Sequence, residues 1–171
     1  MAFINIEIKA RTRRADGIRQ YLLNHEAEVH GTDEQTDIYF NVQHGRLKLR
    51  QGNIENNLIF YERKETGGLK QSDVDLVKVE DSEGLKNVLA KSLGVKAVVK
   101  KRREIYYIRN VKFHLDTLEG LGSFVEIEAS NRFEDIPAEK LREQCEAYMR
   151  EFGVEEEDLI NRSYSDMVMS I

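Results

Sequence analysis

Four stretches of this chain alternate strictly between apolar and charged residues, and that pattern limits what the chain can fold into. Near the start, Ile4, Ile6 and Ile8 alternate with Asn5, Glu7 and Lys9. Further on, Leu47 and Leu49 alternate with Arg46, Lys48 and Arg50. Val111, Phe113 and Leu115 alternate with Lys112, His114 and Asp116, and Val125, Ile127 and Ala129 with Glu126 and Glu128. Lys101 and Arg103 add two more cations at spacing two. Period two puts successive side chains on opposite faces of a strand, so each stretch predicts one buried face and one ionic face.

The ionic faces are sorted by sign. One strand is purely basic (Arg46, Lys48, Arg50) and another purely acidic (Glu126, Glu128). Solvated faces usually mix signs, because like charges side by side repel and opposite ones attract. A wet outer face on an ordinary antiparallel sheet remains one explanation. The other is a ligand that carries both signs, a polyphosphate with a divalent metal. Carboxylate oxygens suit Mg²⁺ or Mn²⁺, and Arg and Lys suit phosphate oxygens.

The remaining segments set the class. Strands are expected at 3–10, 35–42, 46–51, 57–64, 73–80, 97–109, 111–118 and 123–130. Helices are expected at 14–26 (stripe Ile18, Tyr21, Leu22), at 82–93 (cap Ser82; stripe Leu85, Val88, Leu89, Leu93; stop Gly94), and from Pro137 to Gly153. The last of these turns Leu141, Cys145, Tyr148, Met149 and Phe152 inward. A short acidic helix ("EEEDLI") and the tail "SYSDMVMSI" follow. Short connections favour antiparallel pairing, which gives an α+β class with a sheet able to close into a barrel.

The 171 residues suit a single domain. A net charge of −5 argues against a general nucleic-acid binder. One cysteine, Cys145, allows no internal disulfide. Neither a membrane span nor a secretory leader is visible, so a cytoplasmic location is expected. Cys145 reads as core, His25, His30 and His44 as surface, and Tyr106 and Tyr107 as packing.

Five segments together carry a resemblance: "NIEIK", "RLKLR", "VKKRREIYY", "HLDTLEGLGSFVEIE" and "SYSDM". In order and spacing they resemble the CYTH family, the triphosphate tunnel metalloenzymes, and "LIFYERKETGGLKQSD" resembles the class IV adenylyl cyclase branch. The resemblance implies a closed eight-stranded antiparallel β-barrel, a tunnel with flanking α-helices, over one domain spanning 1–171. It implies Mg²⁺ or Mn²⁺ held by Glu7, Glu126 and Glu128, with Asp116 as a further ligand or water-orienting group. It implies triphosphate binding by Lys9, Lys48, Arg50, Lys101 and Arg103, with Arg46 and Lys112 beside them and Arg63 or Lys64 from the fourth strand. Lys9, Arg103 and Asp116 would be catalytic. The implied reaction converts ATP to cyclic AMP and pyrophosphate; hydrolysis of a triphosphate and non-catalytic nucleotide or polyphosphate binding are the alternatives. A homodimer is implied as well. One departure stands out: Asn5 occupies the position of the motif's first glutamate, and an amide is a poorer ligand than a carboxylate. The tail would cover one tunnel mouth.

Overall fold

A computed structural model describes residues 2–66 and 68–170; Met1, Gly67 in the "KETGGLK" stretch and Ile171 at the end of the tail lie outside it. The chain runs β1 (Ala2–Arg11), α1 (Ala15–Asn24), β2 (Glu28–Phe40), β3 (Arg46–Gln51), β4 (Asn56–Thr66), β5 (Leu69–Lys78), α2 (Ser82–Leu93), β6 (Val95–Ile108), β7 (Val111–Leu118), β8 (Gly122–Ser130), α3 (Ala138–Glu151) and α4 (Tyr164–Met169). The strands close into an antiparallel barrel in the order β1-β5-β4-β3-β2-β6-β7-β8. β1 closes the ring by pairing with both β5 and β8.

The apolar faces look outward, onto the helices. Ile6, Ile8 and Ala10 of β1, Phe113 of β7 and Ile127 of β8 pack under α1 (Ile18, Leu22) and α3 (Leu141, Cys145). Each such side chain, fully buried, contributes about 1.5–3 kcal/mol. α2 covers Ile38, Phe40 and Leu49 on the other side.

Several expectations are corrected in detail. Asp81, not Ser82, caps α2, accepting from the Gly84 amide. Only Leu85, Leu89 and Ala90 of α2 face the barrel, and Val88 is 62% exposed. β2 begins seven residues before the expected 35, because its polar face (Asp33, Gln35, Asp37) continues the alternation upstream. β5 begins at Leu69 instead of 73. The acidic "EEEDLI" makes one 3₁₀ turn, Glu156–Asp158. Gly45 is demanded by close approach as well as by its φ of 65°, since a Cβ there would lie 2.7 Å from the Phe60 ring.

Candidate active site

With the apolar faces outward, the ionic faces line a bore. One end is closed. α4 lies across it, and Tyr164 and Met167 pack against Tyr39, Ala97, Val99, Leu118 and Phe124. The Tyr164 hydroxyl donates to Asp116 at 2.7 Å, and Lys9 Nζ sits 3.8 Å from the centre of the Tyr164 ring. Arg46 ties the lid down by donating to Ser163 Oγ at 2.7 Å and pairing with Asp166 at 3.3 Å. "SYSDM" therefore sits on one end of the barrel. The cavity runs from this lid to an open mouth lined by Phe3, Leu76, Asn57, Glu55, Lys112, Tyr107, Arg132 and Phe133.

One wall of the bore is basic and satisfied. Asp37 of β2 receives both guanidinium arms of Arg50 at 2.9 Å each, Lys101 Nζ at 2.7 Å and Lys48 Nζ at 3.4 Å. Burial opposes the charge on Asp37, but Arg50, Lys101 and Lys48 hold its carboxyl well below the usual carboxylate range. Among the described residues, Glu55, on Arg50, is the one other acid these three cations meet, so the wall keeps a small excess of positive charge.

The facing wall is acidic. Register places Glu7 opposite Glu128 and Lys9 opposite Glu126 across β1–β8, with His114 opposite Glu126 across β7–β8. His114, Glu126 and Glu128 offer ligand atoms that all lie within 4.8 Å of one another. Burial, together with Glu7 and Glu126, pushes the Glu128 carboxyl up to about 8. Burial, then Arg103, drives the His114 imidazole down to about 3, so the ring is neutral at pH 7. Both of its nitrogens are buried without a hydrogen-bond partner. Clustered carboxylates and an orphaned neutral imidazole are the donor set a divalent cation needs. Oxygen-preferring Mg²⁺ or Mn²⁺ fits the carboxylates, with His114 as an added nitrogen donor.

The residues singled out from the sequence separate into groups. Glu126 and Glu128 converge at this corner, and Glu7 adjoins it, paired with Arg63 at 3.2 Å. Asp116 stands apart, with both oxygens taken by Arg103 at 2.7 Å and one shared with Tyr164. Arg103 reaches on to Glu126 at 3.1 Å, linking the Asp116 pair to the acidic wall. Lys9, Lys48, Arg50, Arg63, Lys101, Arg103 and Lys112 line the cavity, while Arg46 reaches the lid. Lys64 is the exception. It is outside the bore, 69% exposed at its side chain and beside Asp73, so the fourth-strand cation is Arg63. Asn5 lines the cavity, paired in register with Ser130 and Ser72.

Three site residues escaped the sequence reading. Asp37 lies on β2, whose alternation of Gln35, Asp37 and Tyr39 with Ile38 and Phe40 was available to find it. Lys70 lies opposite Glu7 in β5, with its ammonium buried and unpartnered, and burial and Lys9 bring it down to about 8. Its place upstream of the expected strand start hid it. Glu55 sits on the β3–β4 turn, where no periodicity applies. Asp33 accepts the backbone amides of Asn53, Ile54 and Glu55 at 2.7–2.9 Å, which sets that turn at the mouth. Glu55 there accepts from Lys112 and pairs with Arg50 at 3.3 Å.

A CYTH domain model matches residues 4–164. A Methanocaldococcus jannaschii protein named "Putative adenylate cyclase" is 28% identical over 146 residues, covering 78% of this chain and 80% of the relative. A solved Pyrococcus horikoshii protein superposes with TM-score 0.81 at 27% identity, covering 95% of this chain and 98% of that one. The fold is also shared, at 16% identity and TM-score 0.66, with a Hippeastrum protein described as a "putative adenylyl cyclase" with a dominant triphosphatase activity; the match covers 98% of this chain and 95% of that one. No helix among the described residues is long and apolar enough to cross a membrane.

Proposed function

The chain belongs to the CYTH family, and on that premise we propose that it is a cytoplasmic, metal-dependent enzyme that converts ATP to cyclic AMP and pyrophosphate inside the bore. The observation that carries this reading is the order of charges along the strands. On β1, Glu7 lies on the mouth side of Lys9; on β7, His114 lies on the mouth side of Asp116; Lys9, Arg46 and Lys101 approach the lid. A nucleotide entering phosphates-first brings its terminal phosphates to the cations and its α-phosphate to the acidic corner. The ribose 3′-hydroxyl then gives up its proton to water at the open mouth as its oxygen attacks the α-phosphorus, and the bond to the bridging oxygen breaks, releasing pyrophosphate.

Glu126 and Glu128, with Glu7 and His114 adjoining, would hold Mg²⁺ or Mn²⁺, which when bound polarises phosphoryl oxygens. Lys9, Lys101, Arg103 and Arg63 take up the charge that develops on the departing pyrophosphate. Lys48 and Arg50 align the phosphate chain from the basic wall. Asp116 holds Arg103 in place through its two-armed contact and receives no substrate atom in this scheme.

A second reading is hydrolysis at the terminal phosphorus, favoured by the triphosphatase activity of the Hippeastrum neighbour on the same fold. Incubation with Mg²⁺ or Mn²⁺ and either ATP or inorganic triphosphate separates the readings. Cyclic AMP with equimolar pyrophosphate from ATP supports the cyclase. Phosphate released from both substrates replaces it with the phosphohydrolase. Tight binding without turnover of either makes the protein a binder only.

A further inference from the structure

The rim of the open mouth carries a feature that phosphate chemistry does not use. Phe133, in the loop between β8 and α3, is 79% exposed, the most exposed large hydrophobic side chain among the described residues. It lines the same cavity as Glu7 and Lys9. Its loop is fixed to β1 by two hydrogen bonds: the Ile4 amide donates to Asn131 Oδ1 at 2.7 Å, and the Asn131 amide donates to the Ile4 carbonyl at 3.2 Å. The Arg132 guanidinium lies between two rings, 4.8 Å from the Phe133 centroid and 5.6 Å from that of Phe3. Phe3 continues inward into an apolar flank of the mouth with Ile59, Val74 and Leu76.

Exposing an aromatic ring to water on a pinned loop gains the fold nothing. A ring backed on one face by a guanidinium, with most of its surface open, suits a second flat π-system. Inorganic triphosphate has no such group. We propose that Phe133, backed by Arg132 and Phe3, is the platform on which the aromatic base of a nucleoside triphosphate stacks at the mouth, selecting nucleotide over inorganic triphosphate. This rests on the reading of the bore as the phosphate site, and adds what the mouth recognises.

The test is calorimetric titration of the full chain with Mg²⁺ and either α,β-methylene-ATP or inorganic triphosphate, comparing the parent with Phe133→Ala and Phe133→Tyr. Base–aromatic stacking contributes about 1–3 kcal/mol, so Phe133→Ala should weaken nucleotide binding roughly 5- to 150-fold. Binding of inorganic triphosphate should stay within about twofold, since the base contact alone is lost. Phe133→Tyr should restore nucleotide binding. Equal losses for both ligands, or no loss for the nucleotide, overturn the platform. A parent protein that binds inorganic triphosphate but not the nucleotide overturns the platform and leaves the bore reading standing. A parent that binds neither overturns both. Phe133 contributes no buried core surface, so the Ala variant keeps the fold.

Discussion

The two walls of the bore are both built from buried charged and polar side chains and differ in what they leave unfinished. Around Asp37, every oxygen of the carboxylate meets a cation, and Arg50 has Glu55 as a second partner. Around His114, Glu126 and Glu128, acids crowd one another and the imidazole makes no hydrogen bond, its Nδ1 3.7 Å from Glu126 and 3.8 Å from Glu128. Buried charges that are paired hold structure together, and buried groups left unpaired are costly unless a ligand completes them. The first wall is finished by folding. The second is where the proposed divalent cation would complete the set.

Breaking the unfinished wall should have the largest effect on activity and little on the fold. Glu126→Gln and Glu128→Gln should each bring Mg²⁺- or Mn²⁺-dependent turnover to background in initial-rate assays, with the circular dichroism of the parent retained. Parental rates in both variants would move the metal elsewhere. The finished wall should show the reverse. Asp37→Asn leaves Lys101 buried without its counter-ion and Arg50 with Glu55 alone, and should cost about 3–5 kcal/mol in a denaturant titration without ligand.

The pH dependence carries the same sign. Because the Asp37 carboxyl is depressed in the fold, its contribution is present above its unfolded value near about 3.9 and is lost as pH falls through the lower folded value. Acid titration should therefore remove stability from the parent that Asp37→Asn already lacks.

A smaller effect is expected from Lys48→Ala, whose ammonium is only 3.4 Å from Asp37 and free to turn to a ligand. Triphosphate affinity should fall about 10- to 100-fold, as for a lost hydrogen bond to a charged group, with stability nearly unchanged. The smallest effect sharpens the comparison at the mouth. Glu55 is an internal anion lodged between Arg50 and Lys112, where a phosphate chain would pass. Glu55→Gln should tighten inorganic triphosphate binding by roughly 2- to 5-fold, the scale of a partly screened ion pair.

Much of this was legible in the sequence because period two does not depend on tertiary context. That Ile6 and Glu7 lie on opposite faces follows from alternation alone, and the segregation of Arg46, Lys48 and Arg50 from Glu126 and Glu128 foreshadowed two walls. Closure of the sheet was implied only by resemblance, since alternation cannot tell an enclosed face from a wet one. Arg63 against Lys64 could not be decided from "FYERK", because a one-residue shift in register exchanges the two faces. The resemblance made Asp116 a further ligand or water-orienting group, yet its oxygens are taken by Arg103 and Tyr164, a long-range pairing invisible in one dimension. Glu55 lay beyond reach because a turn has no period, and its position depends on Asp33, twenty-two residues earlier.

Because β1 zips onto both β5 and β8, the ring among the described residues has no outermost strand. Every strand has a hydrogen-bonded neighbour on both sides along part of its length, so no whole strand edge is offered for a neighbouring polypeptide to lengthen the sheet. Without an edge strand, association with another protein falls mainly to side chains, so a chain this rich in strands is spared the usual route to stacking on its own kind.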